Sequence, residues 1–522
     1  MVLSPSSSDP NLQEPNARDA EALGPVRSNA PPYSVFTKRQ KQFIVFLAAW
    51  GGFFSPLSAN IYFPALTTLA KDYNASNTLM NLTLTSYMIF QGLAPTLFGD
   101  LADMAGRRPA FIIGFLVYIG ANIGLALQNS FAALFVLRCL QSTGSSPTIA
   151  LGTGIVADIS TSAERGMYMG YVTSGSMIAP VIAPIIGGVL AEFLGWRSIF
   201  WFLVILTAVY LVPFLVAFPE TARNVVRNGS IPPQSWNMSL LNYLEMRRAR
   251  NTGDELTRTA SRISQRAAQL ELAKKRKLRF PNPLGTLRVI KQKDVGLLLL
   301  YSSLVYTASY TVIASCPYLF EAVYGFNDLQ LGLAFIPFGV GALCAPMTTG
   351  RLMDWNYRRV AKKENFRIDK KRGDDLRNFP VERARLSVAV PMLALGAAAV
   401  LCYGWTLEVE AKLAAPLVLH FIIGFGLTSA FNCMAVLLID YYPMSPSTAT
   451  AANNLVRCWM GAGGTAAINA MINSMGRGWC FTFVAAVLAA TSPILWVLLA
   501  YGPRWREERR VKGETDSRIN PG

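Results

Sequence analysis

Apolar residues along the chain fall into twelve runs of about 20 residues, separated by polar stretches. A helix of that length crosses the ~30 Å hydrocarbon core of a bilayer. The first six runs lie at 43–63, 79–99, 110–127, 131–156, 166–191 and 196–217. The last six lie at 294–320, 329–350, 385–404, 414–440, 447–472 and 478–501. The pattern predicts an all-α polytopic membrane protein with twelve transmembrane helices in two six-helix bundles.

The polar stretches predict the domain boundaries. Five units follow: a disordered N-terminal tail at 1–40, a six-helix bundle at 41–217, a basic central loop at 218–293, a second six-helix bundle at 294–501 and a C-terminal tail at 502–522. Inside the central loop, 254–280 has apolar residues at spacings of three and four opposite a basic face. This pattern predicts an amphipathic helix on the inner leaflet, with a solvated linker helix as the alternative.

Composition supports the membrane assignment and excludes several functions. The chain is 52% hydrophobic and 15% charged, below the roughly 25% charged residues of soluble chains. Its net charge of +17 lies mostly in short linkers beside the helices rather than on a basic face with aromatics, so nucleic acid is not an expected partner. His420 is the only histidine, and the seven cysteines contain no C-x-x-C pair. We therefore expect no metal, no cofactor and no disulfide.

The distribution of basic residues predicts the orientation. The central loop holds 16 Lys and Arg against 5 Asp and Glu. Such loops stay on the cytoplasmic side, which places both termini in the cytoplasm of a multi-pass protein. We expect the plasma membrane, with vacuolar or vesicular membranes as alternatives. The sequon at Asn74 then lies in the first outer loop and is a candidate glycosylation site.

A charged ten-residue turn at 99–108 returns at 350–359. The residues that match in register are Gly99 and Gly350, Leu101 and Leu352, Asp103 and Asp354, Arg107 and Arg358, and Arg108 and Arg359. One copy alone would be explained by a tight loop with arginines that set topology, but the repeat indicates a duplicated bundle. We expect Gly99 to end the second helix in a left-handed conformation. We expect Asp103 to lie at the positive N-terminal end of the third helix.

Polar residues inside the runs are the candidates for a substrate pathway. Arg138 in the fourth run is too deep to reach an interface easily, and intramembrane arginines are functional by default. We expect Arg138 and Gln141 to face a central cavity, with a purely structural ion pair as the alternative. Asn453, Asn454 and Arg457 in the eleventh run likewise need partners or water.

Small residues and prolines mark the fifth run. Pro184, Gly187 and Gly188 lie in it, and such residues allow helices to pack closely and to bend.

The turn resembles the G-x-L-x-D-x-x-G-R-R/K signature of the major facilitator superfamily, with Tyr357 in the second copy where the first has Gly106. The segment from Arg138 is similar to that family's R-x-x-Q-G motif, and the fifth run resembles its antiporter motif. Over about 40–501 the chain resembles the fungal 12-helix drug:proton antiporters of the quinidine and multidrug-resistance type. The resemblance implies a cytoplasmic gate made of Gly99, Asp103, Gly106, Arg107 and Arg108, and of Asp354, Arg358 and Arg359.

The resemblance also implies a function. It points to a monomeric transporter, not an enzyme, that exports a drug, xenobiotic or fungal secondary metabolite by alternating access and proton antiport. No acidic residue lies near the middle of any run, so Asp158 and Asp440 at run ends are the candidates for coupling. Facilitated diffusion, uptake of another small solute such as a polyamine, and a non-transporting sensor remain alternatives.

Overall fold

The computed structural model describes residues 33–160, 162–234, 237–251, 289–364, 379–442 and 446–519. These residues form helices and their connections, with no strand among them. The amphipathic helix predicted at 254–280 and most of the N-terminal tail lie outside the described residues.

The helices follow one another as a continuous series in each half. The N-terminal half contains α1 (Lys38–Asn60), α2 (Leu66–Asp72), α3 (Asn77–Ala105), α4 (Arg107–Leu127), α5 (Phe131–Ser145), α6 (Pro147–Ile159), α7 (Ser162–Leu194), α8 (Arg197–Ala217), α9 (Arg223–Val226) and α10 (Leu240–Asn251). The C-terminal half contains α11 (Lys293–Tyr324), α12 (Asp328–Ala334), α13 (Ile336–Lys363), α14 (Val381–Glu408), α15 (Ala414–Tyr441), α16 (Pro446–Met475), α17 (Arg477–Thr491) and α18 (Pro493–Ile519).

Twelve transmembrane helices emerge from this series, because three pairs of helices each form one kinked span: α5–α6, α12–α13 and α17–α18. Each kink lies next to a proline in the first turn of the second helix, namely Pro147, Pro337 or Pro493. Proline has no N–H and clashes with the carbonyl four residues earlier, so it interrupts the helix there. Within the described residues, nine spans are long and apolar enough to cross a membrane by length and composition alone. The other three are α3, α5–α6 and α16.

The spans pack as two six-helix bundles. In the first, α1 packs on α6 and α7, and α4 packs on α5 and α8. In the second, α15 packs on α13 and α14, and α17 packs on α14. The bundles meet where α3 lies against α16 and where α7 lies against α12 and α13. Smaller contacts between the halves join α2 to α11 and α6 to α16.

Each bundle has an aromatic core and an apolar outer surface. Three aromatic rings pack together in the first bundle, with centroids about 5 Å apart: those of Phe54, Phe115 and Tyr210. In the second, the buried His420 stacks on Tyr403 with ring centroids 4.9 Å apart. His420 is therefore a core residue. Large apolar side chains face outward, as lipid contact requires.

The repeated turn differs from its prediction. Gly99 does not end a helix: α3 continues to Ala105, and Gly106 provides the turn with φ +116°. The second copy forms no turn, since α13 runs through it to Lys363. The Gly106-to-Tyr357 difference explains this contrast, because a tyrosine adopts helical backbone angles readily and the Gly106 conformation only with strain.

The end of the chain also differs from its prediction. The last span continues as one helix through the predicted tail to Ile519 instead of ending near residue 501. Its basic residues therefore contact the second bundle, as described below.

Gly106 should be intolerant of a side chain. A Cβ at Gly106 would lie 2.4 Å from Glu220 Oε2, whereas a Cβ at Gly99 would meet nothing within 4 Å. We expect Gly106→Ala to destabilise the purified protein by about 1–3 kcal/mol, because it combines positive φ with a clash. Gly99→Ala is the control and should match the wild type. Equal thermal unfolding midpoints for the two variants in detergent would contradict this account.

Candidate functional site

The two ends of the bundle carry different polar groups. We call the end with Lys38, Gly106 and Asp158 the terminal face, because the first described helix begins there and the last one, α18, ends there. The opposite end, with Asp72 and Glu321, is the distal face.

On the terminal face, Glu220 holds the start of α4. Its Oε1 accepts from the Arg107 N–H at 2.8 Å, and its Oε2 accepts from the Arg108 N–H at 3.1 Å. Asn237 Nδ2 donates to Oε2 at 2.8 Å. Glu220 is therefore a carboxylate at the positive end of α4, and the placement of Asp103 near this end stays a prediction. Asp103 lies in the last turn of α3, and its side chain is outside the described part.

The arginines of the first turn copy bond within their own bundle. Arg107 Nε donates to Asp158 Oδ2 at 2.9 Å, and Arg108 Nη2 donates to the Leu215 carbonyl at 3.0 Å. The second bundle repeats the first pair, since Arg385 Nε donates to Asp440 Oδ2 at 3.0 Å. The duplication therefore extends to an arginine–aspartate pair on the terminal face of each half.

The second turn copy is arranged differently. Asp354, Arg358 and Arg359 are exposed on α13, and none of them forms an ion pair with another described residue. Arg359 lies over the Trp355 ring, 5.5 Å from its centroid. Between described side chains, no ion pair joins the two halves on the terminal face.

The distal face, in contrast, joins the halves. Thr68 Oγ1 donates to both carboxylate oxygens of Asp328, at 2.9 and 2.7 Å. Lys71 Nζ forms an ion pair with Glu321 at 2.5 Å. The hydrogen bond to Glu321 raises the pKa of Lys71. The halves are therefore closed together at this end.

The glycines of the fifth run lie at this closure. A Cβ at Gly188 would be 2.5 Å from the Asp328 carbonyl, and one at Gly332 would be 2.5 Å from the Pro184 carbonyl. Gly187 packs instead on its own bundle, where a Cβ would be 2.0 Å from the Ile61 carbonyl. Pro184 and Gly188 thus allow the backbone of α7 to contact α12 of the other half directly.

A cleft of about 680 Å³ opens beside this closure. Lys71, Asn74, Tyr318 and Glu321 are among its lining residues. The side chain of Asn74 is exposed at its rim.

Arg138 is enclosed in the first bundle. It has no exposed surface, and its guanidinium carbon lies 4.2 Å from the Tyr62 ring centroid and 4.5 Å from that of Tyr87. Arg138 donates to Gln141, which donates to Asn122 at 2.7 Å. Its Nε and Nη2 have no hydrogen-bond partner among the described residues. In this conformation Arg138 does not open onto a cavity.

Arg457 is more accessible. It is partly exposed, and it lies over Tyr306 with 4.9 Å from the guanidinium carbon to the ring centroid. Its Nε and Nη2 both donate to Asn454 Oδ1, at 3.2 and 2.7 Å. The neighbouring Asn453 accepts a long 3.5 Å hydrogen bond from Ser302. The structure thus brings Asn454 and Arg457 together, turns Asn453 toward Ser302, and leaves Arg138 with Gln141 in a separate enclosure.

Comparison with known proteins identifies the family. Residues 48–465 match the family model described as Major Facilitator Superfamily. The chain belongs to this superfamily. It is therefore a membrane transporter and not an enzyme.

Three fungal proteins are similar to the transporter over most of its length. It is 43% identical over 490 residues to the MFS-type transporter phiD of Fungal sp. (strain ATCC 74256), covering 94% of this chain and 72% of that protein. It is 40% identical over 514 residues to the MFS-type transporter tstD of Talaromyces stipitatus, covering 98% and 91%. It is 36% identical over 521 residues to Citrate exporter 1 of Aspergillus niger, covering 98% and 95%.

Solved structures confirm the fold of the transporter. The D-xylose-proton symporter matches with a TM-score of 0.60 at 13% identity, covering 87% of this chain and 96% of that one. The human organic anion transporter MFSD10 (TETRAN) matches with a TM-score of 0.54 at 17% identity, covering 89% and 100%. At these identities the likeness shows the fold alone.

Sequence reasoning missed a cluster on the terminal face of the second bundle. Arg509 Nη1 of α18 pairs with Asp294 at 2.9 Å, and Arg506 Nη1 lies 3.8 Å from Glu382. Both carboxylates are almost completely buried, with 2% and 1% of their surface exposed. Nothing local in the predicted tail at 502–522 indicates these pairs.

Arg509 should be important for the stability of the transporter. Removing one partner of a buried ion pair leaves an uncompensated charge, so we expect Arg509→Ala to cost about 3 kcal/mol. Replacing both partners, as Arg509→Met with Asp294→Leu, should recover most of that loss. Thermal unfolding of the purified variants tests this. An Arg509→Ala midpoint equal to that of the wild type would contradict it.

Proposed function

We propose that this transporter exports a small amphipathic organic molecule, such as a drug, xenobiotic or fungal secondary metabolite, by alternating access. The observation that carries the proposal is that the two halves are joined at the distal face. Hydrogen bonds and an ion pair join the halves at the distal face, including Thr68 to Asp328 and Lys71 to Glu321. The described ion pairs of the terminal face stay within one half. This arrangement suits loading from the terminal face.

The orientation completes the proposal. The excess of basic residues supports a cytoplasmic terminal face, with both termini in the cytoplasm of a plasma-membrane protein. The bundles at 41–217 and 294–501 then rock as units of a monomer, joined by the central loop at 218–293. The distal face becomes the outer face, where the exposed Asn74 is available for glycosylation.

The repeated turn is proposed as the cytoplasmic gate. Gly99, Asp103, Gly106, Arg107 and Arg108 belong to a copy whose backbone Glu220 holds in place. The second copy exposes Asp354, Arg358 and Arg359 on one helix end. When the terminal face closes, these exposed charges are suitably placed to meet the other half.

The polar residues favour a neutral or anionic substrate. Arg138 and Arg457 are cationic, and Gln141, Asn453 and Asn454 add amides next to tyrosine and phenylalanine rings. Groups of these kinds bind aromatic and acidic molecules and repel a polycation, so a polyamine fits less well. The name of one relative, Citrate exporter 1, agrees with export of an organic anion.

Proton coupling is proposed through the terminal-face aspartates. Asp158 and Asp440 occupy equivalent positions, each bonded to the Nε of an arginine. A proton taken up by either carboxylate would weaken its pair and so bias the gate. Facilitated diffusion is the alternative that lacks this step.

Export from yeast tests the function. A strain that lacks its own pumps would express this chain and be loaded with a panel of fluorescent or radiolabelled organic acids, neutral aromatics and polyamines, with and without a protonophore. We expect lower accumulation of at least one acid or neutral aromatic, and loss of that difference with the protonophore. Equal accumulation of every compound would rule out export, and higher accumulation would indicate uptake. Insensitivity to the protonophore would favour facilitated diffusion.

The gate makes a separate prediction. Asp103→Asn should abolish transport at normal surface expression, because the charge of the first copy is lost from the gate. Asp354→Asn is the matched variant in the second copy and should have a smaller effect. Transport at the wild-type rate in Asp103→Asn would remove the gate role.

A further inference from the structure

The contact between α3 and α16 contains a polar chain that crosses between the halves. Near the distal end, Asn81 Nδ2 donates to the Thr465 carbonyl at 3.2 Å, and Thr85 lies 3.2 Å from the Thr465 hydroxyl. Further toward the terminal face, Asn454 Nδ2 donates to the Gln91 carbonyl at 3.0 Å. Of the described polar contacts between these two helices, the last is the deepest from the distal face.

Pro95 explains why the Gln91 carbonyl can accept this bond. A helical carbonyl normally bonds to the N–H four residues later, and for Gln91 that residue is Pro95, which has none. Inside a membrane such a freed carbonyl needs another donor. Asn454 of the other half supplies it.

Asn454 also occupies the best binding edge of Arg457. The Nε and Nη2 of Arg457 converge on the single Asn454 Oδ1. This edge of a guanidinium binds a carboxylate through two parallel, charge-assisted hydrogen bonds, which are stronger than bonds to a neutral amide. Arg457 is partly exposed, whereas the other intramembrane candidate, Arg138, is fully enclosed.

We propose that Asn454 is a latch between the two halves, released when a carboxylate of the transported molecule takes its place on Arg457. The displaced amide turns away, and its Nδ2 leaves the Gln91 carbonyl. The contact between α3 and α16 then loses its deepest bond, and the distal face opens. The part concerning the transported molecule rests on the proposed function, and it adds that the substrate is a carboxylate.

Cys458 gives a readout of this contact without any engineered label. Cys458 is fully buried, and a Cβ added at Gly92 of α3 would lie 3.2 Å from the Cys458 Cβ. Alkylation by N-ethylmaleimide then requires separation of α3 from α16. Because Cys458 Sγ also donates to Asn454 Oδ1 at 3.7 Å, Asn454→Leu changes the thiol directly, and Pro95→Ala is the variant whose rate follows the open fraction alone. Cys480 is equally buried in α17, away from the other half, and its rate reports general unfolding. Mass spectrometry of peptides from the purified full chain measures both.

Two variants remove the latch from opposite sides. Asn454→Leu removes the donor, and Pro95→Ala gives the Gln91 carbonyl a donor within its own helix. We expect each to speed Cys458 alkylation about threefold, the size of a typical interhelical hydrogen bond in a membrane, with Cys480 unchanged. The double variant should be no faster than either single one. Pro213→Ala is the control, since Pro213 lies inside α8 and away from the other half.

Three results would overturn the latch. The first is a Cys458 rate in both single variants equal to that of the wild type. The second is a double variant whose acceleration is the product of the two single effects, because independent sites multiply. Parallel acceleration of Cys480 would also overturn it, since the variants would then act by loosening the whole fold.

Carboxylate release is tested with benzoate and citrate as probes, against benzamide and chloride at equal ionic strength. We expect at least one carboxylate to speed Cys458 alkylation about threefold in the wild type and to have no effect in Arg457→Gln. No difference between carboxylates and controls would overturn the release step.

Neither assay requires transport. If no export is measured and the alkylation rates change as expected, the proposed function fails and the latch stands. If export is measured but the pattern is absent, the latch alone fails.

Discussion

Every backbone polar group inside a bilayer must find its partner within the protein, and prolines and glycines decide where that is difficult. Two such places organise this transporter. Gly106 exposes the first N–H groups of α4, and Glu220 accepts from two of them. Pro95 frees the Gln91 carbonyl, and Asn454 donates to it from the other half. The first solution stabilises one bundle, and the second joins the two bundles.

The need for partners within the protein also affects where the charged side chains lie. At the terminal face each arginine of a pair has a carboxylate close to water, as in Arg107 with Asp158 and Arg385 with Asp440. Arg138 lies deep in the first bundle and has two tyrosine rings and one amide instead of a carboxylate. A buried cation without an anion is costly, and the proposed role of Arg138 in transport is consistent with that cost.

The sequence was sufficient for the number and order of spans, because runs of about 20 apolar residues have one common explanation in a membrane. It also identified the repeated turn, but not its geometry. Composition cannot show which carboxylate reaches a helix start: Glu220, which follows α8 and lies more than 100 positions from Arg107 in sequence, accepts from the start of α4. The pairing of Arg509 with Asp294 joins residues 215 positions apart, and nothing local in either segment indicates it.

The two copies of the turn show how a duplication can become unequal through one residue. Gly106 ends α3 and lets Glu220 approach to a distance that a Cβ would block, so the first copy is fixed within its bundle. Tyr357 allows α13 to continue for six more residues, to Lys363, and carries Arg358 and Arg359 outward on an exposed helix end. In the proposed gate, the fixed first copy provides the docking surface, and the exposed helix end of the second copy binds to it. The inequality therefore gives the proposed gate a direction: the second half moves onto the first.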